Sequence, residues 1–98
     1  MRINFERSGG FVGMRITATI DTESLPADEA AELRQLVESA GFFDLPPTIS
    51  STTGADQFTY VLTVESESRQ HRVEVKDGGV PPSLRPLLQR LTSLARRS

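Results

Sequence analysis

Arg7-Ser8-Gly9-Gly10-Phe11-Val12-Gly13-Met14 is the stretch on which the reading of the fold turns. Three glycines surround the apolar pair Phe11 and Val12, and a run of strict alternation lies on either side. Before it, Ile3 and Phe5 alternate with Arg2, Asn4 and Glu6; after it, Met14, Ile16, Ala18 and Ile20 alternate with Arg15, Thr17, Thr19 and Asp21. A period of two sends successive side chains to opposite faces, so each run reads as a half-buried strand. Two such runs joined by a short glycine-rich segment read as a β-hairpin. The connection, about 8–12, is longer than the tightest two-residue turn, so its tip can project. Glycine tolerates positive φ, which lets the backbone turn sharply or lie close to another surface. A large apolar residue at such a tip either folds back onto its own domain or enters a partner. Arg7, Ser8, Gly9, Gly10, Phe11, Val12 and Gly13 are therefore the candidate partner-binding residues.

The period changes after the hairpin. Asp21-Thr22-Glu23-Ser24 is turn-like, Pro26 suits a first helical position, and Asp28 and Glu29 place negative charge where a helix dipole favours it. Ala30, Leu33, Leu36, Val37 and Ala40 fall at helical spacing, with Gly41 as the stop. This predicts a helix over about 26–40. Phe42, Phe43 and Leu45 follow and are expected to close the core beneath it. Pro46-Pro47 ends regular structure, and 48–57, rich in Ser and Thr, reads as an irregular loop.

A second hairpin comes next. Phe58, Tyr60, Leu62 and Val64 alternate with Thr59, Val61, Thr63 and Glu65; His71, Val73 and Val75 alternate with Arg72, Glu74 and Lys76. The polar turn Ser66-Glu67-Ser68-Arg69 joins them, and the polar outward set implies a sheet wet on one side. After Asp77-Gly78-Gly79-Val80 the prolines Pro81 and Pro82 lead into a final helix, whose apolar stripe is Leu84, Leu87, Leu88, Leu91, Leu94 and Ala95. The expected fold is α+β: a two-layer ββαββα domain, a four-stranded antiparallel sheet with two helices packed on one face.

Composition narrows the functional classes. Ninety-eight residues make one domain. There is no cysteine, hence no disulfide framework and no thiolate metal site. The alternating N-terminus has no apolar signal-peptide core, and no apolar run approaches membrane-spanning length; a cytoplasmic location is expected, export by another route aside. The formal net charge is −2 with both signs mixed along the chain, so the broad basic footprint of a nucleic-acid binder is lacking. The C-terminal cluster Arg90, Arg96 and Arg97 complements the dipole at the end of a helix.

Enzyme chemistry finds little to use. His71 is the one histidine; it sits in the inward register of its strand and reads as structural. A zinc site needs several converging ligands, and the sequence has none of the usual spacings. Serine and threonine are plentiful, but without a second base candidate or a Gly-x-Ser-x-Gly turn a catalytic triad is not supported. Asp28 with Glu29 and Glu65 with Glu67 read as a helix start and a solvated hairpin tip. Ser8-Gly9-Gly10 is followed by a strand and lacks the Lys of a phosphate loop. The leucine stripe matches a helix lying on its own sheet better than an oligomer seam. The residues describe a non-enzymatic module that binds something without metal or cofactor.

The chain also resembles the emfourin family, small bacterial protein inhibitors of protealysin and related thermolysin-like metallopeptidases. The matching segments are Phe5-Glu6-Arg7-Ser8-Gly9-Gly10-Phe11-Val12-Gly13, Ala40-Gly41-Phe42-Phe43-Asp44-Leu45-Pro46 and Gly54-Ala55-Asp56-Gln57-Phe58-Thr59-Tyr60. Arg69-Gln70-His71-Arg72-Val73-Glu74-Val75 and Pro81-Pro82-Ser83-Leu84-Arg85-Pro86-Leu87-Leu88 complete an ordered set spanning nearly the whole chain. The resemblance implies a single inhibitor domain over residues 1–98, monomeric when free, with a thermolysin-like zinc metallopeptidase as partner and neither nucleic acid nor membrane. Peptidases of that kind favour a large apolar residue just after the scissile bond, which assigns Phe11 or Val12 to that pocket. Arg7, Arg15 and Asn4 are expected to meet an acidic cleft rim. The 48–57 segment and the N-terminal amine are the alternative contacts. The rival class is an interaction module that binds through its sheet face or an edge strand.

Overall fold

The structure, a computed structural model, describes residues 1–9, 14–49 and 58–97. In chain order the elements are β1 (Arg2–Gly9), β2 (Met14–Asp21), α1 (Ala27–Ser39), β3 (Thr48–Ile49), β4 (Phe58–Ser66), β5 (Arg69–Lys76) and α2 (Arg85–Arg97), with single 3₁₀ turns at Thr22–Ser24, Phe42–Asp44 and Asp77–Gly79.

Alternation decides which side of the sheet is covered. In β1 the odd residues Ile3 and Phe5 are buried, while Arg2 and Asn4 are exposed. In β4 and β5, Leu62, Val64, Val73 and Val75 are fully buried. In α1 the same core takes up Leu33 and Val37, and in α2 Leu87, Leu88 and Leu91, with Leu84 just before its first residue. Helical spacing turns these leucines to one side, so both helices cover the same face of the sheet. The α+β class and two-layer arrangement are as expected.

The sheet itself differs from expectation. It has five strands among the described residues, in the order β2-β1-β4-β5-β3. The two hairpins join through an antiparallel β1–β4 pairing that runs from Arg2↔Glu65 to Gly9↔Phe58. The extra strand is β3, which pairs in parallel with β5 through Thr48↔Glu74 and Ile49↔Val75. Thr48 and Ile49 thus leave the loop assigned to 48–57, whose other residues lie outside those described. Two residues are too few for periodicity to reveal. Their direction is set earlier in the chain. Leu45 is tied to the start of β5 by His71, whose Nε2 lies 2.7 Å from the Leu45 carbonyl oxygen. The Glu74 N–H then donates to the Pro47 carbonyl at 2.9 Å, so the chain proceeds alongside β5 in the same sense. A carbonyl only accepts, so Nε2 carries the proton. His71 also meets Phe42 edge to face at 5.6 Å, which makes it a fastening point for the chain beneath α1.

The helix boundaries shift slightly. Pro26 is the residue before α1 rather than its first, and its carbonyl accepts the Ala30 N–H at 2.9 Å. Gly41 ends α1 in the left-handed region, φ 61° and ψ 39°, a conformation in which a side chain is strained. Phe42 is buried as expected, whereas Phe43 is only partly buried and carries the Arg69 guanidinium 4.0 Å from its ring centre.

Candidate binding site

The β1–β2 ladder is continuous to its last pair, Gly9↔Met14, and Gly9 also faces Phe58 of β4. Residues 10–13 are the whole connection between these paired ends. Gly9 has φ 97°, a region essentially reserved for glycine, and there the backbone leaves strand geometry. Gly9 is thus needed where the candidate loop begins. Gly10, Phe11, Val12 and Gly13 lie outside the described residues.

The register puts both candidate connections at one end of the sheet. The chain leaves it at Gly9 and returns at Met14; it leaves β3 at Ile49, opposite Val75, and returns at Phe58. The N-terminus is at the other end. The Met1 carbonyl there accepts the Thr22 N–H at 2.9 Å and the Thr22 hydroxyl at 3.2 Å. Seven steps along β1 place Arg2 about 23 Å from Gly9.

Arg7, Arg15 and Asn4 do not form one patch. Ser8 faces Arg15 in the ladder and Arg7 faces Ile16, so Arg15 and Asn4 lie on the helix-free side and Arg7 on the helix side. Arg15 is held by Glu6 at 2.9 Å, and Asn4 Oδ1 accepts the Thr19 hydroxyl at 3.0 Å. Lys76 donates to Thr59 at 2.9 Å on the same face. On the helix-free side Arg15, Asn4 and Lys76 are thus engaged by neighbouring strands of the same sheet.

Arg7 occupies a register position that continues Ile3 and Phe5. Its guanidinium carbon lies 3.8 Å from the Phe58 ring centre, and its Nε is buried without a hydrogen-bond partner among the described residues. It borders a groove of about 560 Å³ between the loop end of the sheet and α2, together with Tyr60, Arg85 and Arg96. Sequence reasoning missed this groove. Its signals were a charge in an apolar register and a polar stripe at 85, 89, 92 and 96 beside the leucine stripe. The supposed C-terminal basic cluster is divided: Arg90 reaches Glu29 at 3.3 Å and Glu32 at 3.0 Å on α1, while Arg96 lines the groove.

Among the described residues no three His, Asp or Glu side chains converge as a metal site, and no helix is long and apolar enough to cross a membrane. The candidate site is a glycine-flanked hairpin end on a two-layer body. The chain is matched over residues 5–92 by the family described as Emfourin, and it belongs to that family. Neither the curated proteins nor the solved structures contain a match.

Proposed function

We propose that this protein inhibits thermolysin-like zinc metallopeptidases by placing residues 10–13, with Phe11 or Val12, in the active-site cleft. The observation that carries the reading is membership of an inhibitor family over residues 5–92. The geometry supports the choice of segment. A ladder paired on both sides of β1 up to Gly9 is a stiff base that fixes where the segment departs, and fixing its ends lowers the entropy lost on binding. A catalytic zinc keeps one position open for water or substrate, and a blocking segment needs no metal or cofactor of its own. The N-terminus is a poorer candidate, because it lies some 23 Å from the hairpin end and its first carbonyl is tied to Thr22.

One buried aromatic contributes on the order of 1.5–3 kcal/mol, so tight inhibition requires a second contact. The test is a dose series of purified protein against a thermolysin-like peptidase, with Phe11→Ala and Gly10→Val beside the wild type. Phe11→Ala weakens inhibition about ten- to a hundredfold. Equal inhibition by both variants, with melting curves unchanged, rejects the loop as the contact. No inhibition by the wild type rejects the function.

A further inference from the structure

The groove beside the hairpin end carries three arginines that no acidic group among the described residues pairs with. The ion pairs among the described residues engage Arg15, Arg72 and Arg90. Arg7, Arg85 and Arg96 have none, although the chain as a whole has a net charge of −2. Unpaired charges of one sign along a cleft create a positive potential that an anionic occupant complements. The floor includes Val80 and the nearly buried Leu88, and Gln89 stands on the wall.

Spacing narrows the kind of anion. Arg85 and Arg96 stand eleven residues apart on one helix, about 16 Å at the helical rise. An extended chain covers that distance in about five residues. A single phosphate or carboxylate cannot touch both. A nucleic-acid strand is long enough, but three arginines on an otherwise acidic chain give little of the counterion release that drives such binding.

We propose that this groove binds an extended acidic polypeptide segment, its carboxylates paired with Arg7, Arg85 and Arg96 and its backbone running along α2. Extending the inhibitor reading, on which this part rests, the segment belongs to the peptidase and supplies the second contact that the loop requires. The groove opens at the sheet end from which residues 10–13 depart, so one partner can engage both.

Tyr60 makes the test direct. It is the only tyrosine, there is no tryptophan, and it lines the groove. A capped hexaglutamate peptide is titrated while Tyr60 fluorescence is followed, with hexalysine, inorganic phosphate and a short oligothymidylate in parallel. Hexaglutamate produces a saturable change, weakened at least fivefold in Arg85→Gln/Arg96→Gln and further in Arg85→Glu/Arg96→Glu. Both residues are exposed, and circular dichroism checks that the variants fold. No change with hexaglutamate, or an equal change in the variants, overturns the proposal. Phosphate or oligothymidylate acting at lower concentration than hexaglutamate overturns it in favour of a free-anion or nucleic-acid site. Against a peptidase that the wild type inhibits, Arg85→Glu/Arg96→Glu lowers the association rate at least fivefold and flattens its salt dependence. An unchanged rate removes the peptidase as the source of the segment. A wild type that binds hexaglutamate but inhibits no peptidase defeats the inhibitor reading and leaves the groove standing.

Discussion

Replacing Arg7 by methionine takes a charge off the helix side of the sheet, and the geometry sets the size of the effect. The guanidinium carbon lies 3.8 Å from the Phe58 ring centre; such a contact contributes about 0.5–1 kcal/mol at partly exposed sites. Opposing it is Nε, buried with no hydrogen-bond partner among the described residues. A buried donor left unsatisfied costs about 1–3 kcal/mol. Arg7 is only partly buried, so the lower part of that range applies, about 1–1.5 kcal/mol. Methionine keeps an unbranched stem beside Ile16 and Tyr60, which flank Arg7 in the ladders, and brings no donor. The balance favours the variant by roughly 0–1 kcal/mol. For a domain of this size that is a rise in melting temperature of up to about 8 °C. Thermal and urea unfolding by circular dichroism measure it, and peptidase inhibition is assayed on the same preparation. The expected pattern is a fold as stable or more so, with weaker inhibition. A loss of more than about 1 kcal/mol, the size of one ordinary hydrogen bond, shows that Arg7 serves the fold, and the reasoning fails.

Gly41→Ala tests the end of α1. An added Cβ meets no atom within 4 Å, so the φ of 61° is the sole obstacle; the cost is about 1–2 kcal/mol, less for Gly41→Asn, and equal melting temperatures for all three proteins contradict it. Inhibition stays at the wild-type level, since Gly41 lies beyond the end of the sheet opposite the loop. Leu62→Ala, at a fully buried position of the central strand between Phe5 and Val73, lowers stability by about 2–5 kcal/mol. Thr63→Ala, on the helix-free side of the same strand, changes it by no more than about 0.5 kcal/mol; urea melts in which the two variants match refute the assignment of faces.

Local pattern was enough for some of this architecture and for a definite part of the site. Periods of two and of 3.6 are written into neighbouring residues, so the two hairpins, both helices and the single covered face follow from residues such as Ile3, Phe5, Leu33 and Leu87. Gly9 and Gly41 were legible as turning points, because few other residues accept their φ. His71 read as structural from its inward register, and its bond to Leu45 is the form that role takes.

Pairing between distant segments belongs to the tertiary structure. The meeting of β1 with β4, the addition of Thr48 and Ile49 beside β5 and the separation of Arg7 from Arg15 by the thickness of the sheet all depend on long-range register. So does the groove, where a side chain from β1 comes to face a helix that begins 78 positions later in the chain. Periodicity tells which face of an element is apolar but not which element covers it, because that choice is made by the packing of the whole core.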